Sequence, residues 1–159
     1  MPSIYLPDSP APASVRVRTK QRTKVSTAVS GKIQSRLYGG QSYAATLTYN
    51  PMRRDQAAPL IAYLHEQQGR YGIFRVKLPQ LTGQAGQIVG NFLNYVGDTK
   101  LHMIVAEGLS PVTIPAPRDG SIVDSQPVYI QCSLVGDAQQ IELGRNGLIR
   151  LEIDVVERL

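Results

Sequence analysis

The chain has 159 residues, 42% of them hydrophobic, with a formal charge of +5 and a sequence pI near 9.5. That length fits one domain with a real core, and the apolar content excludes general disorder. No apolar run is long enough to cross a membrane, no charged-then-apolar leader opens the chain, and a single cysteine, Cys132, excludes an internal disulfide and fits a reducing compartment.

Residues 1–14 hold four prolines and little periodicity, and they read as an extended arm with Ile4, Tyr5 and Leu6 as its anchor. The remainder, 15–159, reads as one β-rich domain. From Val15 to Val25, Arg16, Arg18, Lys20, Arg22 and Lys24 take every second position. One extended strand would put all five cations on one face, repeating at roughly 6.6–6.8 Å. Such a face suits acidic neighbours or nucleic acid. It equally suits a solvated edge strand whose cations block aggregation. The run Lys32–Tyr38 is expected to pair with the strand at Tyr43 through a Gly39-Gly40 turn.

The stretch Tyr43–Leu78 is the most informative. Tyr43, Ala45, Leu47 and Tyr49 alternate with smaller and polar residues, the period of a half-buried strand. Asn50-Pro51 breaks it. From about Arg54 to Gln68, Ala57, Leu60, Ile61 and Leu64 recur at helical spacing, and Gly69 is the expected stop. Phe74, Val76 and Leu78 then mark another strand, so the helix must lay its apolar stripe on a sheet.

Further strands are expected at Phe92–Val96 and Lys100–Val105 around a Gly97-Asp98 turn, and at Val128–Leu134. A short strand at Ile141–Leu143 precedes the Asn146-Gly147 hairpin signal, and the clearest strand runs from Leu148 to Leu159. Residues 79–86 and Ser110–Asp124 read as loops. The expected class is mainly β (α+β): an antiparallel sandwich or barrel-like domain with one amphipathic helix packed on the sheet.

No catalytic constellation emerges. His65, His102 and Cys132 are far apart without metal-ligand spacing, and the glycines form no phosphate loop, so neither metal nor cofactor is expected. His65 reads as a surface residue, and His102 as pointing to solvent or a neighbour. Cys132 shares an apolar face with Ile130 and Leu134 and reads as a core hydrophobe rather than a nucleophile. The basic run lacks interleaved aromatics for base stacking, which disfavours a single-strand nucleic-acid binder.

Tyr43–Met52, ending in a Pro-Met corner, then Ala57-Ala58-Pro59-Leu60, then Gly69-Arg70-Tyr71-Gly72 with Phe74, resembles the distal tail proteins among the minor tail proteins of long-tailed bacteriophages. The resemblance covers residues 42–78, and the glycine-rich segment Gly83–Gly90 is similar to the opening of that family's second half. The chain differs from the family pattern at Arg53, where a Ser or Thr cap is more usual.

The resemblance implies a non-enzymatic virion component, made in the bacterial cytoplasm. It would form a ring, commonly of six copies, between the tail tube protein and the tail tip or hub proteins. A terminator or collar-like ring is the neighbouring expectation, and a small basic single-stranded nucleic-acid-binding module the rival. Ring interfaces are heterologous and need unlike faces on one subunit. Arg16, Arg18, Lys20, Arg22 and Lys24, set against Glu152, Asp154 and Glu157, are the expected contacts, and the C-terminal strand is expected to pair across the interface.

Overall fold

The computed structural model describes residues 4–81, 88–108, 112–114, 127–137 and 140–158. In chain order the strands are β1 (Ser14–Lys20), β2 (Thr23–Thr27), β3 (Ile33–Leu37), β4 (Ser42–Thr48) and β5 (Met52–Arg53). The helix α1 (Arg54–Glu66) comes next, then β6 (Phe74–Lys77), β7 (Phe92–Leu93), β8 (His102–Ala106), β9 (Val112–Ile114), β10 (Tyr129–Leu134), β11 (Ile141–Leu143) and β12 (Leu148–Glu157). The protein is mainly β, with a curled antiparallel sheet and one α-helix among the described residues.

Strand β12 explains the architecture. Ile149, Leu151, Ile153 and Val155 face inward, while Arg150, Glu152 and Asp154 face out. Its second half pairs with β4 on one side and β10 on the other, and its first half pairs with β11 and β5. The sheet therefore runs β1-β4-β12-β10-β6, every pair antiparallel. The strand expected to pair across an interface is instead the middle of the sheet, with both edges occupied within its own subunit.

Helix α1 carries the chain from β4 to β6 and leaves room between them for β12 and β10. Ala57, Leu60, Tyr63 and Leu64 are buried, Ile61 is half-buried, and the Tyr63 ring meets Phe74 edge-on at 5.9 Å. Tyr63 is a helix-face residue that apolar spacing alone did not select.

The start of the helix has only half of a capping box: the Arg53 N–H donates to Gln56 Oε1 at 3.3 Å. Arginine has no side-chain acceptor to return the bond. Pro59 lies past the first turn, where its missing N–H leaves a helical carbonyl unpaired. Pro59→Ala is therefore expected to stabilise the fold by about 1–3 kcal/mol in urea unfolding.

The helix ends earlier than its pattern suggests. Glu66 is its last residue, and Gln68, not Gly69, is the first residue in left-handed backbone, at φ 51. Gly72 is needed for space: its N–H donates to the Gln67 carbonyl at 2.8 Å, and a Cβ there would stand 2.6 Å from that same oxygen. Gly72→Ala is expected to cost about 1–3 kcal/mol, read as a lower urea midpoint with an unchanged slope.

The second sheet is β7-β8-β9, its first two strands joined through the Gly97-Asp98 turn. β9 falls inside Ser110–Asp124, a segment expected to be loop; the rest of that segment and residues 82–87 lie outside the described residues. Asn94 joins the two sheets. Its side chain donates to the Tyr129 carbonyl at 3.0 Å and accepts from the Tyr129 N–H at 2.9 Å, satisfying a backbone that would otherwise lack partners. Phe92 adds an edge-on contact with Tyr43 at 5.4 Å.

Candidate assembly surfaces

The cationic run does not form one strand. β1 ends at Lys20, Gln21 and Arg22 interrupt it, and β2 begins at Thr23. β1 pairs with β4 as far as Lys20↔Ser42, whereas β2 pairs with β3 from Thr23↔Leu37 to Thr27↔Ile33. The return strand thus has extra residues at the junction, and Gly39 and Gly40 absorb them at φ 75 and 72. The Gly-Gly pair kinks a long ribbon rather than closing a hairpin. The reversal lies at Ala28–Lys32, where the Ala28 N–H donates to the Lys32 carbonyl at 2.9 Å.

Every residue of β2 and β3 is exposed. Cross-strand partners share a face, so Val25, Ile33 and Leu37 lie on one side with Thr23, Thr27 and Ser35. Lys24 and Arg36 lie on the other with Ser26 and Gln34, and the register continues to Arg22, whose carbonyl accepts the Tyr38 N–H at 2.9 Å, so Arg22 follows Lys24 on that side. Val25, Ile33 and Leu37 are 60%, 72% and 66% exposed. Isolated two-stranded ribbons are marginal in water, and a contiguous bare apolar face marks a surface meant for a partner.

The charge distribution is equally uneven. Residues 14–41 contain seven of the chain's 17 basic residues and none of its 12 acidic ones, leaving ten basic against twelve acidic residues elsewhere. Among the described residues, Arg22, Lys24, Lys32 and Arg36 form no ion pair. Arg18 differs: its Nη2 donates to Thr46 Oγ1 at 2.8 Å and lies 3.9 Å from Asp154 Oδ1, on the solvent side of the sheet. The expected cationic and acidic contacts therefore meet on one face of a single subunit at this point, and an exposed pair of that length contributes little stability. Arg16 and Lys20 also face out, and β1 has β4 as its one strand partner among the described residues.

Glu157 does not belong to the acidic surface. The alternation of β12 puts it on the inward face, 7% exposed, where its two oxygens accept the Tyr43 N–H at 3.0 Å and the Leu101 N–H at 2.8 Å. Burial raises its pKa above the usual 4.5, while the two backbone donors and the charges of Lys100 and His102 act in the opposite direction. His102 is fully buried rather than facing solvent or a neighbour, with Nε2 3.3 Å from Asp98 Oδ2 and its ring edge-on to Tyr95 at 4.9 Å. The alternation of β8 puts it on the same face as Ile104, also fully buried, and Asp98 gives its ring a polar partner there. His65 is exposed. Cys132 is buried, and burial, with Glu157 adding to it, pushes its thiol far above the ordinary range, so no thiolate forms near neutral pH.

The proline-rich arm lies along β6. The Leu6 N–H donates to the Arg75 carbonyl and the Arg75 N–H to the Ile4 carbonyl, at 2.9 and 2.7 Å. Leu6 is buried, the Tyr5 ring meets Tyr129 edge-on at 6.2 Å, and Lys77 Nζ reaches Asp8 at 2.8 Å. The arm thus covers part of one sheet edge, which would otherwise invite pairing.

A groove of about 530 Å³ opens on the outer side of β12. Tyr49 and Leu151 are its buried members, and Glu142, Arg150, Glu152 and Asp154 form its charged walls. Among the described residues, Glu142 and Glu152 have no ion-pair partner. The Tyr49 hydroxyl is buried without a hydrogen-bond partner among the described residues, and burial pushes its pKa up to about 12.

No protein-family model matches this chain, and no curated protein matches it.

Proposed function

We propose that the chain is a structural, non-enzymatic subunit of a bacteriophage tail. It forms a ring at the distal end of the tail tube and links the tube to the tip proteins. The observation that carries this reading is the β2–β3 ribbon, an exposed extension with one apolar and one cationic face that its own subunit does not cover. The resemblance over residues 42–78 supplies the tail, and its matched residues fall on β4, α1 and β6, which frame the main sheet. A terminator or collar-like ring uses the same surfaces at another level of the tail.

The test is the mass of the purified protein by light scattering, across protein concentration and at low and high salt. A closed oligomer, six-fold or a multiple of it, supports the ring. A strict monomer at every concentration overturns a self-assembling ring.

The unpaired cations of the ribbon favour one reading of another class, a single-stranded nucleic-acid-binding module. Binding driven by phosphate contacts falls steeply with salt, whereas a ring held by apolar and backbone contacts survives it. A monomer that binds single-stranded DNA with a steep salt slope replaces the first reading by the second.

A further inference from the structure

We propose that the cationic face of the ribbon seats in the groove beside β12 of a second copy of this chain, with Arg22 and Lys24 meeting Glu142 and Glu152. The proposal rests on the ring reading and names the surface that receives the ribbon.

A heterologous ring needs a projecting and a receiving surface on every subunit. The ribbon is the projecting one, and its cationic face has no acid of its own copy in ion-pair range among the described residues. The groove supplies the complement: Glu142, Glu152 and Asp154 against Arg150. Asp154 is already engaged, accepting the Thr46 hydroxyl and facing Arg18, so Glu142 and Glu152 are the acids left over. The spacing agrees as well. Arg22 and Lys24 are two residues apart, roughly 6.6–6.8 Å in an extended chain, and Glu142, opposite Arg150 across the β11–β12 pair, is a diagonal neighbour of Glu152 at roughly 7–8 Å. Arg150 opposes entry of a cation and limits the groove to a few positive groups.

The experiment is a charge swap in the full chain, read by sedimentation equilibrium. All four side chains are exposed, so thermal unfolding of each variant is expected to match the wild type. R22E/K24E and E142K/E152K are each expected to weaken assembly by roughly tenfold or more, and the four changes combined in one chain to recover it. E142Q/E152Q, which removes charge without reversing it, is expected to weaken assembly less. If the wild type assembles and E142K/E152K assembles equally well, the groove is not the receiving surface and the ring reading stands. If the wild type stays monomeric while a single-stranded oligonucleotide binds it and R22E/K24E abolishes that binding, both the proposal and the ring reading fall.

Discussion

Replacing Glu157 with alanine is expected to cost about 2–5 kcal/mol of folding stability, because the buried N–H groups of Tyr43 and Leu101 lose their acceptor, each at about 1–3 kcal/mol. The carboxylate joins β12 to the start of β4 and to the residue before β8, so the loss is expected to loosen the second sheet against the first. The pH dependence has a definite sign. Burial is the largest influence on Glu157 and raises its folded pKa above the unfolded value of 4.5. The folded state then holds the proton more tightly than the unfolded chain does. The stability linked to that proton is fully present below 4.5 and is lost as pH rises through the raised folded value. Urea unfolding of wild type and E157Q from pH 4 to 8 tests this, since glutamine does not titrate. The wild type is expected to gain on the variant as pH falls. A flat difference, or one of opposite slope, shows that the two backbone donors outweigh burial.

Glu157 also shows how far the sequence could be read. Its parity with Ile149, Leu151, Ile153 and Val155 already placed it on the inward face, yet its charge grouped it with Glu152 and Asp154. Alternation was the stronger signal, because a carboxylate can be buried where backbone N–H groups meet it. The helix, the strands at Val128–Leu134 and Leu148–Glu157 and the Gly97-Asp98 and Asn146-Gly147 turns were legible, since each rests on local periodicity or turn chemistry.

What local patterns do not carry is pairing. Nothing near Lys24 specifies that β2 pairs with β3 while β1 pairs with β4, and two glycines read as a turn serve equally well as a kink. The central place of β12 was hidden for the same reason: its partners lie as far away in sequence as β4. His102 goes inward because Ile104, not Met103, marks the buried face of β8, and its polar partner Asp98 lies in the connection before that strand. The groove had no local signal at all, as its walls come from β4, β11, β12 and the segment after β10.

The other large effect is expected in assembly rather than in folding. Changing Val25, Ile33 and Leu37 together to threonine keeps the strand preference of β2 and β3 and removes their apolar face. All three side chains are more than half exposed, so folding stability is expected to change by no more than about 0.5 kcal/mol per site. Assembly is expected to fail. Fully burying a Val, Leu or Ile against a partner contributes about 1.5–3 kcal/mol, and every 1.4 kcal/mol lost is about tenfold in the association constant. Three such losses remove the oligomer at any concentration where the wild type just forms it. Light scattering and thermal unfolding on the same samples separate the outcomes. A stable variant that still assembles excludes the apolar face from the contact. A variant that unfolds several kcal/mol earlier shows that the ribbon lies against its own subunit. A stable monomer makes the ribbon the arm by which one copy holds the next, because a face that does nothing for its own fold can be kept apolar only by a partner.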